Sequence, residues 1–264
     1  YRVSQNGKAA LAKEHPAVQN PSWTLRYGGR LYFNPALPQV QKHVANIVAE
    51  VVRNYDVDGI HFDDYFYPYP VKENKKNVPF PDQDAYRRYG RGKNLHDWRR
   101  ANVNALVKRV HDEIKSLKPA VRFGISPFGV WRNKSKDPTG SDTRAFSAYD
   151  DGLYADSRAW MQNGWIDYII PQLYWHFGHK AAPFGTLLDW WCRETAKYPD
   201  IAFYVGVGAD QQEKTWKDPL ELQKQIQALP SCPGVKGEVY FSAASIQKSP
   251  SIQKTLQTIK RAPL

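Results

Sequence analysis

The chain has 264 residues, 42% of them hydrophobic, and its 37 Lys and Arg against 26 Asp and Glu give a formal net charge of +11. This length suits one large α/β domain or two small ones, and because no apolar run is long enough to span a membrane, we expect no transmembrane segment. The charge favours an acidic partner such as a nucleic acid, an anionic membrane surface or an acidic glycan. A basic surface that only confers solubility explains it equally well.

The cysteine and histidine residues indicate neither a disulfide framework nor a metal site. Cys192 falls in an apolar helical pattern and Cys232 in a proline-rich turn, and there is no CxxC motif. The seven histidines show no HExxH or comparable ligand spacing, and no glycine-rich phosphate-binding loop is present. We therefore expect no metal and no cofactor.

Helical and strand patterns alternate along the chain, with no internal repeat and no domain linker. Apolar residues recur at helical spacing near the C-terminus and in LPQVQKHVANIVAEVVRNY, LHDWRRANVNALVKRVHDEIKSLKP, YADSRAWMQNG, FGTLLDWWCRETAKY and PLELQKQIQAL. The strand patterns are VDGIHFDD, VRFGISPFGVW, IDYIIPQLYW, IAFYVGVGAD and GEVYFSAAS. This alternation predicts βα units, a parallel sheet and one domain over residues 1–264.

The two faces of the strand patterns differ. One face is apolar, with Ile60, Phe62, Phe123, Ile125, Phe203, Val205, Val207, Val239 and Phe241. The other is small or polar, with Gly59, His61, Asp63, Gly124, Ser126, Gly206, Gly208, Glu238, Tyr240 and Ser242. This favours a TIM (β/α)8 barrel, in which the small and polar face lines an interior that opens at the carboxyl ends of the strands.

Five strand patterns are visible, whereas a TIM barrel needs eight. We therefore expect the chain to be the C-terminal part of a barrel, with the opening YRVS as the tail of an earlier strand. In that arrangement Arg2 lies near Asp63 at the barrel mouth, and the first and last visible strands form the two edges of the sheet.

Two adjacent aspartates end the first strand pattern. Asp63 has the parity of His61 and Tyr65 and points into the predicted barrel mouth, whereas Asp64 has the opposite parity. Glycoside hydrolysis uses two carboxyl groups that flank the scissile bond. A helix cap or an ion pair would explain a single aspartate, but a doubled aspartate followed by Tyr65 and Tyr67, which can stack on sugar rings, favours a catalytic role.

The connection after the second strand pattern is long, and long ordered loops are often functional. It contains Trp131 as a candidate sugar platform, Arg132 and Arg144 as candidate anion-binding residues, and Asp142 as a further carboxylate. The alternative is a solvated loop whose charges pair with one another. That alternative is weakest for Asp142, which lies beside Arg144.

The end of the third strand pattern presents neutral polar groups. Gln172 and Tyr174 share one face, and Trp175 follows them. These side chains suit the hydroxyls and rings of a sugar, although a purely structural hydrogen bond between Gln172 and Tyr174 is equally consistent with the pattern.

The segments YFNPALPQVQ, DVDGIHFDDYFYP, SPFGVWRN, DPTGSDTRA, YADSRAW and IDYIIPQLYW occur in this order and resemble glycosyl-hydrolase-like family 10 over nearly all of the chain. This family includes bacterial envelope lipoproteins regarded as hydrolases of peptidoglycan glycan strands. The first strand pattern is also similar to the family 18 chitinase pattern DGxDxDxE. His61 and Tyr65 replace an aspartate and the final glutamate of that pattern, which disfavours a chitinase mechanism.

The family resemblance implies a TIM barrel, glycosidase activity and a location in the bacterial cell envelope. It also implies a set of site residues, namely Asp63, Asp64, Asp142, Gln172 and Tyr174. In such proteins the segment NPYRVS follows the third strand, so the first two βα units and most of the third strand are expected to precede this chain.

The residues and the resemblance together predict a glycoside hydrolase acting on bacterial cell-wall glycan, with an acidic or amino-sugar polysaccharide as substrate. Peptidoglycan without its peptides exposes the lactyl carboxylates of muramic acid, which suits a basic enzyme. The alternative is a non-catalytic glycan-binding protein on a degenerate barrel. Nucleic-acid binding is disfavoured because Lys and Arg are scattered along the chain and form no dense stripe.

Overall fold

The computed structural model describes residues 2–4 and 11–259. Its strands are β1 (Arg2–Ser4), β2 (Thr24–Tyr27), β3 (Arg30–Phe33), β4 (Gly59–Phe62), β5 (Lys72–Glu73), β6 (Lys76–Asn77), β7 (Arg122–Ile125), β8 (Tyr168–Ile169), β9 (Ala202–Val207) and β10 (Val235–Tyr240). Its α-helices are α1 (Pro16–Gln19), α2 (Pro38–Asn54), α3 (Gln83–Tyr89), α4 (Leu95–Leu117), α5 (Ser157–Gln162), α6 (Phe184–Thr195), α7 (Glu221–Ala228), α8 (Ala243–Lys248) and α9 (Pro250–Thr258).

These elements form two compact units. The first consists of Tyr1–Asp58, Tyr65–Val121 and Tyr149–Asp156, and the second of Gly59–Asp64, Arg122–Ala148 and Ser157–Leu264. Each unit is therefore assembled from segments that are distant in sequence. No helix in the described part of the chain combines the length and apolarity needed to cross a membrane.

In the first unit, helices α2 and α4 confirm the two longest helical patterns. Pro38 occupies the first turn of α2, where its missing N–H costs no hydrogen bond. The Asn94 side chain caps α4 by accepting a hydrogen bond of 2.9 Å from the Asp97 N–H. Gln41 of α2 donates 3.3 Å to the carbonyl oxygen of Asn102 in α4, so this buried amide joins the two helices.

The first unit also contains a three-stranded antiparallel sheet of order β1-β3-β2 that the sequence analysis missed. A two-residue turn joins β2 to β3 through Gly28 and Gly29, which have φ of 54° and 73°. The pattern RYGGRLY carries the signal for such a hairpin, because glycine tolerates positive φ at both turn positions. Residues Arg2–Ser4 are a strand, as expected, and they pair antiparallel with β3. Their assignment to the tail of an earlier barrel strand stays a prediction.

A buried ion pair fixes the start of α3 to α4 within the first unit. Arg99 Nε donates 2.9 Å to Asp82 Oδ2, and a second guanidinium nitrogen bonds the other carboxylate oxygen. Both side chains are buried. Burial opposes the charge of Arg99, but the hydrogen bonds and charge of Asp82 outweigh it and raise the pKa of the guanidinium.

The second unit contains a five-stranded sheet of order β10-β9-β8-β7-β4, in which every pair is parallel. This confirms the predicted parallel sheet and places the first and last strand patterns at its two edges. The described residues do not form an eight-stranded barrel, and the complete barrel remains a prediction of the family resemblance.

The predicted apolar face is confirmed in the central strands and wrong at one edge. Phe123, Ile125 and Phe203 are buried in the core of the second unit. In contrast, Val239 and Phe241 are 43% and 51% exposed. Among the described strands β10 pairs with β9 alone, and an edge position leaves its side chains less covered than those of the central strands.

The prediction that the cysteines form no disulfide is wrong. Cys192 in α6 and Cys232 are joined by a disulfide, with Cα atoms 5.7 Å apart. The two residues are separated by 40 positions in the sequence, and neither belongs to a spacing motif. Their proximity follows from the packing of the two βα connections that carry them, which the local pattern of either segment does not encode.

Candidate functional site

A histidine-centred cluster lies on the small and polar face of the sheet in the second unit. The His61 and Tyr168 rings stack, with centroids 5.7 Å apart and planes within 12°. His61 Nδ1 lies 3.2 Å from the Tyr168 hydroxyl, and Nε2 lies 2.5 Å from the Ser126 hydroxyl. Because the Tyr168 hydroxyl donates to the carbonyl oxygen of Ile60, all three contacts form when Nδ1 carries the proton and Nε2 accepts from Ser126.

The cluster depends on the absence of a side chain at Gly124. A Cβ atom at this position would lie 2.2 Å from the Tyr168 ring. Glycine therefore leaves the space that the ring occupies beside His61. Partial shielding from water lowers the pKa of His61, and the charge of Asp63 opposes this shift without cancelling it. The imidazole is therefore neutral at pH 7.

The Asp63 carboxylate is exposed at the carboxyl end of β4 and is held by two hydrogen bonds. The Gln172 side-chain amide donates 2.8 Å to Asp63 Oδ1, and the Asp64 N–H donates 2.8 Å to the same oxygen. Gln172 also donates 3.0 Å to the carbonyl oxygen of Ser126. The structure thus brings together Asp63 and Gln172, which lie 109 positions apart, and it orients one carboxylate oxygen while the group stays accessible.

Tyr174 lies in the field of three carboxylates. Burial is the largest cause that raises the pKa of its hydroxyl, and the charges of Asp63, Asp64 and Asp210 raise it further. The hydroxyl therefore remains protonated at neutral pH and can act as a hydrogen-bond donor. The Asp64 side chain, which has the opposite parity to Asp63, is buried at 2% exposure.

The sequence analysis missed Asp210, which follows β9. This residue is 6% exposed, its Oδ2 pairs with Lys214 at 2.8 Å, and its buried Oδ1 has no hydrogen-bond partner among the described residues. The signal was present in GVGAD, where an aspartate ends a strand pattern as Asp63 does.

The long loop of the second unit projects Asp142 and Arg144 into solvent. Ser141 and Thr143 are buried, and the two charged residues alternate with them on the exposed side. Asn133 holds this stretch by accepting a hydrogen bond of 2.8 Å from the Thr143 hydroxyl. Neither Asp142 nor Arg144 forms an ion pair with another residue that the structure describes, so both charges are accessible to a ligand.

Two predicted binding residues of the same loop have structural partners. Trp131 is 5% exposed, its ring stacks on Trp190 at 5.9 Å, and the Arg158 guanidinium lies 4.5 Å from its centroid. It is therefore not an open sugar platform, which corrects the prediction. Arg132 forms an ion pair with Asp137 at 3.0 Å. For this arginine the structure therefore agrees with the alternative interpretation, in which the charged residues of the loop pair with one another.

Three further predicted binding residues lie in the first unit. Tyr65 is exposed, and the Arg2 guanidinium lies 5.9 Å from its ring centroid. Tyr67 is 1% exposed and packs edge-on against Phe80 at 5.3 Å. Its role as a sugar platform is corrected to a core role, since aromatic residues after a strand can equally fill a core. The placement of Arg2 near Asp63 stays a prediction.

Trp175 is half-buried in the second unit, where its ring packs edge-on against Phe128 at 5.3 Å. Part of the indole therefore remains available to a ligand next to Tyr174. Within residues 2–4 and 11–259, no group of three or more His, Cys, Asp or Glu side chains is arranged to hold a metal ion.

The site thus consists of a neutral histidine, an oriented aspartate, an amide and a tyrosine at the carboxyl ends of parallel strands, the edge where α/β folds bind ligands. The model of the family Glycosyl hydrolase-like 10 matches residues 2–223. The chain belongs to this family.

Two named relatives cover nearly the whole chain. It is 43% identical over 267 residues to the glycosyl hydrolase YngK of Bacillus subtilis, a match spanning 98% of this chain and 51% of YngK. It is 39% identical over 279 residues to the glycosyl hydrolase DigH of Escherichia coli K12, spanning 98% of this chain and 62% of DigH. The chain therefore corresponds to only about half to three-fifths of these relatives.

The structure is also similar to the glycoside hydrolase domain of PgaB (BpsB) from Bordetella bronchiseptica. The TM-score is 0.56 at 11% sequence identity, and the match covers all of this chain and 69% of that one. At this identity the similarity concerns the fold alone.

Proposed function

We propose that this chain forms the catalytic part of a glycoside hydrolase that cleaves bacterial cell-wall glycan, with peptide-free peptidoglycan as its substrate. The observation that carries the proposal is the geometry of Asp63. It lies exposed at a strand end, with one oxygen held by Gln172 and by the Asp64 N–H. A carboxylate fixed in this way is oriented before the substrate binds, which lowers the entropic part of the activation free energy.

In this proposal Asp63 is one of the two carboxyl groups that glycoside hydrolysis requires. Of the two other aspartates that the family resemblance implies at the site, Asp142 is the better candidate for the second group, because it is exposed whereas Asp64 is buried. The protonated Tyr174 hydroxyl and the Gln172 amide supply donors for sugar oxygens or for the developing charge. His61, which is neutral and bonded to the Ser126 hydroxyl, lies beside Asp63 on the same face of the sheet.

The charge of the chain supports an acidic glycan as the substrate. A protein of net charge +11 attracts a polyanion over distances beyond direct contact. Arg144 is exposed and can pair with a carboxylate. The Arg144→Ala variant is expected to weaken binding to peptide-free peptidoglycan more than binding to neutral chitin oligomers. Equal losses of affinity for both would show that Arg144 does not recognise the carboxylates of the glycan.

A location in the bacterial cell envelope is part of the proposal. The Cys192–Cys232 disulfide supports it, since such bonds persist in the periplasm and at the cell surface and are rare in a reducing cytosol. The disulfide is independent of the family resemblance from which the location was first expected.

One observation favours the alternative of a non-catalytic glycan-binding protein. His61 and Tyr65 occupy positions where a related catalytic pattern has acidic groups, and Asp64 is buried. The exposed face of β4 therefore offers a single carboxylate to the substrate. Binding without hydrolysis is the result that this alternative predicts.

The test is to incubate the protein with intact and with peptide-free peptidoglycan and to identify the products by mass. The Asp63→Asn variant keeps an oxygen for Gln172 and the Asp64 N–H but removes the charge, and it is expected to cost about three orders of magnitude in rate. Asp58→Asn, an exposed aspartate just before β4, is the matched control. Near-normal turnover of a folded Asp63→Asn variant would remove Asp63 from the mechanism.

A further inference from the structure

A cavity of about 730 Å³ lies in the second unit, outside the Asp63 cluster. Its walls are residues 176–180, which follow β8, and residues 215–218 with Glu221 and Lys224, which follow β9. Both connections leave the carboxyl ends of parallel strands, the edge at which α/β folds bind ligands. The volume falls within the usual range of small-molecule sites.

The two carboxylates in the cavity wall are already neutralised or bonded within the protein. Asp218 pairs with Lys224 at 2.5 Å. Glu221 is buried, and its Oε1 accepts hydrogen bonds of 2.8 Å from the Phe177 N–H and 2.8 Å from the Gln225 side chain. Lys224 offsets the charge of Asp218, whereas both donors to Glu221 are neutral, so the charge of Glu221 persists beside the cavity.

Two lysines of the wall are left for a ligand. Lys180 and Lys217 line the cavity from its two sides and are exposed. Neither forms an ion pair with any residue in the described part of the chain. The three lysines of the wall, Lys180, Lys217 and Lys224, exceed its two carboxylates by one positive charge. The cavity is therefore cationic overall, and a carboxylate is the complementary group.

The remaining wall is largely aromatic. The rings of His176, Phe177 and His179 are half-buried and line the cavity, and His176 contacts His179 edge-on at 5.6 Å. Flat rings next to cationic groups fit a ligand with an apolar sugar face and an acidic substituent. A small inorganic anion would leave most of this volume and the aromatic wall unused.

We propose that this cavity binds a carboxylate-bearing sugar residue, held by Lys180 and Lys217 and packed against the aromatic wall. The inference rests on the proposed function in one respect, that the sugar belongs to the glycan acted on at Asp63. His176 follows Tyr174 by two residues, so their Cα atoms are at most about 7 Å apart. The cavity thus adjoins the site and provides a subsite for an acidic unit of the strand.

The test measures equilibrium binding by calorimetry and ligand-observed NMR, with N-acetylmuramic acid, glucuronic acid and N-acetylglucosamine as probes. The two acidic sugars are expected to bind at least about tenfold more tightly than the neutral one, because charge-assisted hydrogen bonds contribute only for them. Tighter binding of N-acetylmuramic acid identifies an amino-sugar ligand, and tighter binding of glucuronic acid identifies a uronic-acid ligand.

Variants assign the binding to the cavity. Lys180→Ala combined with Lys217→Ala is expected to remove the preference for acidic sugars, and Gly178→Phe, which fills the cavity from an exposed position, is expected to abolish binding of all three. Lys236→Ala, an exposed lysine near the amino end of β10, removes one charge elsewhere and is expected to change nothing.

The outcomes separate this inference from the proposed function, because binding is measured without hydrolysis. Selective binding that the double lysine variant abolishes supports the subsite even in a protein that cleaves no peptidoglycan. Equal affinity for acidic and neutral sugars overturns the subsite, as does an acidic preference that survives both lysine substitutions, whether or not the protein hydrolyses the glycan.

Discussion

Removing one partner of the buried Asp82–Arg99 pair is expected to destabilise the first unit by about 3–5 kcal/mol, the cost of leaving a buried charge uncompensated. Both side chains are almost fully buried, so water cannot replace the lost partner. The perturbations are Asp82→Ala, which leaves the guanidinium, and Arg99→Met, which leaves the carboxylate.

The contacts of each partner set where in this range each variant falls. After Asp82→Ala, the guanidinium retains the Tyr154 hydroxyl at 2.8 Å and the Phe80 carbonyl oxygen at 3.2 Å as acceptors, so the lower half of the range is expected. Arg99→Met removes the charged donor from both carboxylate oxygens and belongs to the upper half. Either loss is a large fraction of a typical unfolding free energy of about 5–15 kcal/mol.

The assay is urea denaturation followed by circular dichroism and tryptophan fluorescence. The double variant Asp82→Ala/Arg99→Met is expected to lose less than the sum of the single losses, because neither charge then remains unpaired. Glu113→Ala is the control, since it breaks the exposed Arg53–Glu113 pair, whose atoms are 3.2 Å apart, and should cost at most about 1 kcal/mol. Single losses no larger than this control, or strictly additive losses, would refute the argument from burial.

Three further outcomes follow from the second unit. Gly124→Ala places a methyl group against the Tyr168 ring and should cost about 1–3 kcal/mol, with altered His61 resonances in NMR spectra; an unchanged spectrum would show that the ring is not confined. NMR titration of His61 should give a pKa below its usual 6.5. Because the unfolded state then binds the proton more readily, His61 lowers stability as the pH falls through about 6.5, a loss that His61→Asn should remove. Cys192→Ala should lower the unfolding free energy by about 4 kcal/mol in the loop-entropy estimate for a 40-residue separation, and a wild-type midpoint insensitive to reductant would contradict it.

The order of the helices and strands, and the presence of polar residues at the end of the first parallel strand, could be predicted from the sequence. Helices α2 and α4 follow from apolar residues repeated at helical spacing, and the five parallel strands follow from the alternation of short apolar runs with those helices. Strand parity predicted that Asp63 shares the face of His61 and that Asp64 does not; in the structure His61 and Asp63 are exposed and Asp64 is buried. These features depend on neighbouring residues, whose periodicity is set by the backbone geometry of a helix or a strand.

The tertiary structure decided which distant residues meet. His61, Ser126 and Tyr168 come from three different strand segments, and the cysteines of the disulfide lie on two connections 40 positions apart. An aromatic residue after a strand has the same local pattern whether it is buried, as Tyr67 is, or exposed, as Tyr65 is. Local periodicity determines the face of an element on which a side chain lies, but only the packing of elements determines what covers that face, because contacts between distant segments form as the whole unit folds.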